Sequence, residues 1–149
     1  LEPCNIYGYS KLIMQNIVLR NGFSVYQGAN FIWSDGSVLK IWLNQMQNGM
    51  PLTVTNLSHI RYFNDLDYVA DLIIKNLEVK NKILLPEYVF MVSLKDMLEA
   101  FMDHFSYKKY KVIGSDSMEK EIETIENSIE KRIPADKKMI TSWLKAHRV

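Results

Sequence analysis

The 149-residue chain has a single cysteine, Cys4, and three widely separated histidines, His59, His104 and His147. A lone thiol excludes a disulfide framework and a thiolate zinc site, and the histidine spacing supplies no metal-ligand set, so no metal is expected. The 18 basic and 17 acidic side chains leave a net charge of +1, which gives no reason to expect nucleic acid as a partner. No apolar run approaches the roughly 20 residues of a membrane span, and the charged flank of a signal peptide is missing. Internal repeats and low-complexity tracts are absent. So is the glycine fingerprint of a dinucleotide site. The expected setting is reducing and cytoplasmic, and the length suits one domain with its own core.

What the chain does have is an alternation of helical and extended patterns. Residues from Tyr7 to Asn21 read as a helix with Leu12, Ile13, Ile17 and Val18 apolar, stopped by Asn21-Gly22. Phe23 to Phe31 is rich in β-formers and reads as one strand. Ser34-Asp35-Gly36-Ser37 is a turn that supplies a helix N-cap, and Val38 to Asn48 is helical until Gly49 and Pro51. Leu52 to Thr55 is a short strand, Leu66 to Asn76 a helix, and Ile83 to Leu85 a short buried strand. Ser93 and Asp96 form a variant capping box ahead of the stripe Leu94, Met97, Leu98, Phe101 and Phe105. Tyr110 to Ile113 is the last strand expected. A charged run from Glu119 to Arg132 reads as a solvated face, before a helical end from Asp136 to His147. This alternation indicates an α/β architecture.

The candidate chemistry lies at the front. Tyr7 and Lys11 are four residues apart and share one helix face, which lets the ammonium favour the ionised phenol. Such a pair moves a proton during oxidation of an alcohol, and it needs a hydride acceptor. With no dinucleotide fingerprint ahead of it, and with Leu at position 1, the chain reads as the back half of an enzyme.

Five segments, in order, resemble one family. Pro3-Cys4-Asn5-Ile6-Tyr7-Gly8-Tyr9-Ser10-Lys11 resembles P-x-N-x-Y-G-x-S/T-K. Asn30 to Val38 resembles G-N-V-x-G-S-R-G-S-V from its asparagine onward. Gly49-Met50-Pro51-Leu52-Thr53-Val54-Thr55 with Arg61-Tyr62-Phe63 resembles G-x-P-I-T-V-T with a downstream R-F. Leu85-Pro86 with Met91 resembles V-P…M, and Gly114 with Glu119-Lys120 and Glu123 resembles G-x-R-x-G-E-K-x-x-E. The chain is thereby similar to the C-terminal half of an extended short-chain dehydrogenase/reductase. Its nearest likeness is to the soluble UDP-N-acetylglucosamine 4,6-dehydratases of polysaccharide biosynthesis.

The resemblance implies an α/β fold in which residues 1–149 end a Rossmann-like domain and add a small substrate-binding lobe. It implies a 4,6-dehydratase or epimerase using NADP or NAD, whose site is mostly in an absent N-terminal half. Tyr7 would take the proton from the sugar 4-hydroxyl, and Lys11 would assist it and hold the nicotinamide ribose. Asn30, Ser37, Arg61 and Glu119 would bind a UDP-sugar, with Arg61 on its diphosphate. The first helix would pack in a homodimer or higher oligomer. Four departures stand against this pattern. Gln27-Gly28-Ala29 replaces Arg-Tyr-Gly, Trp33 replaces a glycine, Asp116 replaces a second diphosphate-binding arginine, and Ser117-Met118 replaces Pro-Gly. A carboxylate facing a diphosphate is repulsive. A non-catalytic nucleotide-sugar-binding homologue and a purely structural module therefore stand as alternatives.

Overall fold

Residues 6–114, 129 and 131–146 are described by the computed structural model. Helix α1 (Ile6–Arg20) matches the first expected helix, yet it buries none of its side chains. Ile13, Met14 and Ile17 are each more than half exposed. The chain then enters the β-rich stretch, where the single expected strand is two: β1 (Val25–Tyr26) and β2 (Asn30–Phe31). The break has a steric cause at Gly28, where a Cβ would lie 1.8 Å from the Tyr26 hydroxyl oxygen. The Tyr26 hydroxyl and the Ala29 amide both donate to Asn64 Oδ1, at 3.0 and 3.1 Å. This bridge redirects the chain from one sheet to another.

Helix α2 (Val38–Gln47), β3 (Leu52–Val54) and helix α3 (Leu66–Lys75) lie where periodicity places them. Between β3 and α3 runs β4 (Ile60–Asn64), and between β5 (Ile83–Leu84) and α4 (Leu94–Phe105) runs β6 (Tyr88–Ser93); neither strand was legible in the pattern. After β7 (Tyr110–Val112) come β8 (Lys131–Pro134) and α5 (Lys137–Ala146). Strand β8 was not expected: the Lys131-Arg132 end of the charged run is paired in a sheet, while both side chains stay exposed. The rest of that run, with Glu119, lies outside the described residues except for Ile129, which is buried beside Tyr62 and Val89. So do Pro3 to Asn5, Asp116 to Met118 and His147.

Four strands form a mixed sheet in the order β2-β4-β6-β8, with β4 antiparallel to β6 and the other neighbours parallel. Strand β1 pairs with β5, and β3 with β7, each in parallel. The core lies between the four-stranded sheet and α2, α4 and α5, and centres on Leu39, Trp42, Leu52, Val54, Phe63, Met97, Phe101, Ile140 and Leu144. The α4 stripe is as expected, except that Phe105 is only part-buried. The capping box is also formed: Ser93 Oγ accepts from the Asp96 amide at 3.0 Å and donates to its carboxylate at 2.6 Å.

The β1–β2 junction gives the fold a pH dependence. Burial, and next the neighbouring Tyr68, push the Tyr26 phenol from 10.0 up to about 12. The fold prefers the neutral phenol, so this stabilisation is whole below pH 10 and is lost as pH rises from about 10 through 12. Urea midpoints at pH 9 and pH 11 are expected to fall further apart for the wild type than for Tyr26→Phe.

Candidate functional site

Where β2 hands over to α2, the chain must turn sharply and then start a helix. Gly36 takes φ +76°, in the left-handed region glycine enters freely. Ser37 follows at the N-cap in extended backbone, but its hydroxyl makes no capping bond. That oxygen is buried and has no hydrogen-bond partner among the described residues. The first amides of α2 therefore remain available to an anion. Strand β3 forms the adjacent wall, fixed to α2 through Thr53. Trp42 Nε1 donates to the Thr53 carbonyl at 2.8 Å, Gln45 Oε1 accepts from its amide at 2.9 Å, and Gln45 Nε2 donates to its hydroxyl at 2.8 Å.

These elements enclose an open cleft of about 560 Å³. Tyr7, Asn30, Ser37 and Arg61 all line it, together with Ser34, Asp35, Gly36 and Thr53 to Thr55. Four of the six residues singled out in the sequence thus converge on one cavity. Lys11 is not in its lining, but its ammonium sits 5.2 Å from the centre of the Tyr7 ring, one helical turn away. Glu119 lies outside the described residues.

Arg61 is the only cation in the lining among the described residues. Its Nη1 donates to the Ile60 carbonyl at 3.0 Å, and its Nη2 lies 3.2 Å from Nδ1 of the fully buried His59. Asn30 Nδ2 donates to the Tyr62 carbonyl at 3.1 Å, which ties the side chain to β4. Asp35 stands at the rim, where Lys40 holds its carboxyl below the usual range by a hydrogen bond and by charge. That ion pair offsets a negative charge at the mouth of the cleft. His59 is the residue sequence reasoning missed, because a single buried histidine beside a strand has no spacing motif to reveal it.

Trp33, at the family's glycine position, has φ +62°, a left-handed conformation that is costly for a bulky residue. Its indole Nε1 donates to the Trp143 carbonyl at 3.0 Å, tying the β2–α2 loop to α5. Trp33→Ala and Trp33→Gly both remove that tie, but only the glycine escapes the backbone strain. The glycine variant is expected to be more stable than the alanine variant by about 1 kcal/mol in urea unfolding. Equal midpoints would show that the strain is absent.

The model of one family, described as polysaccharide biosynthesis protein, matches residues 1–143. The chain belongs to the polysaccharide biosynthesis protein family. It is 31% identical over 81 residues to the probable polysaccharide biosynthesis protein EpsC of Bacillus subtilis (strain 168), covering 50% of this chain and 14% of that one. The fold is similar to that of Pen from Bacillus thuringiensis, with TM-score 0.76 at 19% identity, over 97% of this chain and 58% of the other. It is also similar to dTDP-glucose 4,6-dehydratase from Bacillus anthracis, solved in complex with NAD, with TM-score 0.63 at 11% identity, over 99% of this chain and 54% of that one. The fold of this family member is therefore the mixed α/β, Rossmann-like fold that these structures share with it. The match to EpsC covers about one seventh of the length of that protein, and the chain spans a little over half of each of these structures.

Proposed function

We propose that this chain is the substrate-side half of a nucleotide-sugar 4,6-dehydratase or epimerase of polysaccharide biosynthesis, acting in the cytoplasm on a UDP-sugar such as UDP-N-acetylglucosamine. The observation that carries this reading is the convergence of Tyr7, Asn30, Ser37 and Arg61 on one cleft at the N-terminus of α2. Arg61 and the Ser34–Val38 amides hold the diphosphate, for which a planar guanidinium and a helix N-terminus are both suited. The Ser37 hydroxyl gains there the partner it lacks among the described residues. Asn30 contacts the sugar, a role that the sequence resemblance also gives to Glu119. Tyr7 accepts the proton of the sugar 4-hydroxyl, and the Lys11 ammonium lies over its ring, 5.2 Å from the centroid.

NAD or NADP would be held here through Tyr7 and Lys11, both exposed on α1 and close enough to share a ribose. When bound, that group accepts hydride from the sugar. The rest of its site belongs to a dinucleotide-binding half outside residues 1–149, so this chain by itself is expected to be inactive. The exposed apolar surface of α1 is the proposed contact of a homodimer or higher oligomer.

One observation favours a second reading, a non-catalytic nucleotide-sugar-binding homologue: Asp116 stands in the sequence where the resemblance calls for a second diphosphate-binding arginine. The two readings separate when the complete reductase is incubated with UDP-N-acetylglucosamine and the nucleotide sugar is weighed by mass spectrometry and its sugar protons are followed by NMR, which reveals an epimer of unchanged mass. A product lighter by one water supports the dehydratase. Binding with no chemical change supports the homologue.

A further inference from the structure

His59 is fully buried, and its position is fixed from both sides by backbone. Its amide donates to the Asn56 carbonyl at 3.3 Å, and its carbonyl accepts from the Leu94 amide at 2.9 Å, where β6 passes into α4. A histidine so placed serves neither as a ligand group nor as a proton donor to solvent. What it reaches is the guanidinium of Arg61, two residues on and on the same side of the strand. A guanidinium has donors only, so Nδ1 is the acceptor in this 3.2 Å contact and the ring proton sits on Nε2. With the Ile60 carbonyl taking Nη1, two terminal nitrogens of Arg61 are held by fixed acceptors.

We infer that His59 is a positioning residue that aims Arg61 at the diphosphate of the bound nucleotide, an inference that rests on the reading of the cleft given above. An arginine side chain carries much rotamer freedom, and fixing it before binding removes part of the cost of recognition. His59 does this from a buried position outside the cleft lining. Because Arg61 is the only cation lining the cleft among the described residues, its orientation governs how well an anion is received.

Two variants separate positioning from packing. His59→Leu fills the buried site but offers no acceptor, whereas His59→Asn loses ring volume yet keeps an acceptor atom at the δ position. The probe is UDP titrated calorimetrically into the full chain. His59→Leu is expected to weaken UDP binding about tenfold, the loss of one hydrogen bond to a charged group, and His59→Asn to restore most of it. In an Arg61→Ala background, His59→Leu is expected to have no further effect. The ordering of Arg61 is read independently of UDP from the NMR signal of its Nε–H, sharp in wild type and His59→Asn and averaged in His59→Leu. An Arg61 signal unchanged by His59→Leu, or a smaller His59→Asn variant that binds no better than His59→Leu, overturns the inference. Absence of UDP binding by the wild type, with Arg61 still ordered through His59, overturns the nucleotide reading and supports the pairing.

Discussion

Tyr7→Phe is expected to slow turnover of the complete protein, under the proposed function, by roughly 10²–10⁴-fold, the usual worth of a general acid/base group. The substitution removes one oxygen from a ring that already stands on the wall of the cleft, 69% exposed and packed only loosely. In the proposed site the UDP-sugar is held by Arg61, Ser37 and the α2 amides, so its dissociation constant is expected to change by no more than about threefold. Single-turnover kinetics with a parallel binding titration check both halves. An equal loss of rate and affinity would show that Tyr7 holds the substrate without moving its proton.

Trp42→Ala is expected to have the largest effect on folding. The indole is completely buried, meets Phe101 edge-on at 5.5 Å, and donates to the Thr53 carbonyl at 2.8 Å. Truncating a buried tryptophan costs about 3–5 kcal/mol, and the stranded Thr53 carbonyl adds to it. Since a domain of this kind is stable by about 5–15 kcal/mol, much or all of that margin would be lost. Because Thr53 forms part of the cleft wall, the loss is also expected to reach the site. Urea unfolding followed by far-ultraviolet circular dichroism measures it, and a midpoint within error of wild type would contradict the packing described here.

The helices were the legible part of this fold. Val38 to Gln47, Leu66 to Lys75 and Leu94 to Phe105 each carry an apolar face at helical spacing, and the Ser93 box marks a start that the structure reproduces. Strands β4 and β6 stayed hidden because both run as mixed apolar stretches without clean alternation. Strand β6 also passes straight into α4, with Ser93 ending one and capping the other. The split of Phe23 to Phe31 was beyond local pattern altogether, since it is decided by partners far along the chain: β5 for one half and β4 for the other. Strand β8 shows the same limit, because Lys131 and Arg132 are solvated side chains and only their pairing with Tyr88 and Val89 makes the segment a strand.

The candidate site was legible for a different reason. Tyr7, Asn30, Ser37 and Arg61 are far apart in sequence and share no periodicity, and only the ordered motifs of a family tie them together. His59 belongs to none of those motifs, and its relation to Arg61 emerges only from the contact beneath β4. Trp33 was legible as a departure, but its left-handed backbone and its bond to Trp143 were not.

The most direct test of the central claim is to map the amide NMR shifts of this chain as UDP-N-acetylglucosamine is added. The account predicts saturable shifts confined to Asn30, the amides from Ser34 to Val38, Thr53 to Thr55 and Arg61, and their loss in Arg61→Ala. Shifts centred instead on the separate depression walled by Trp33, Asp65, Phe90 and Trp143, or no shifts at all, would contradict it.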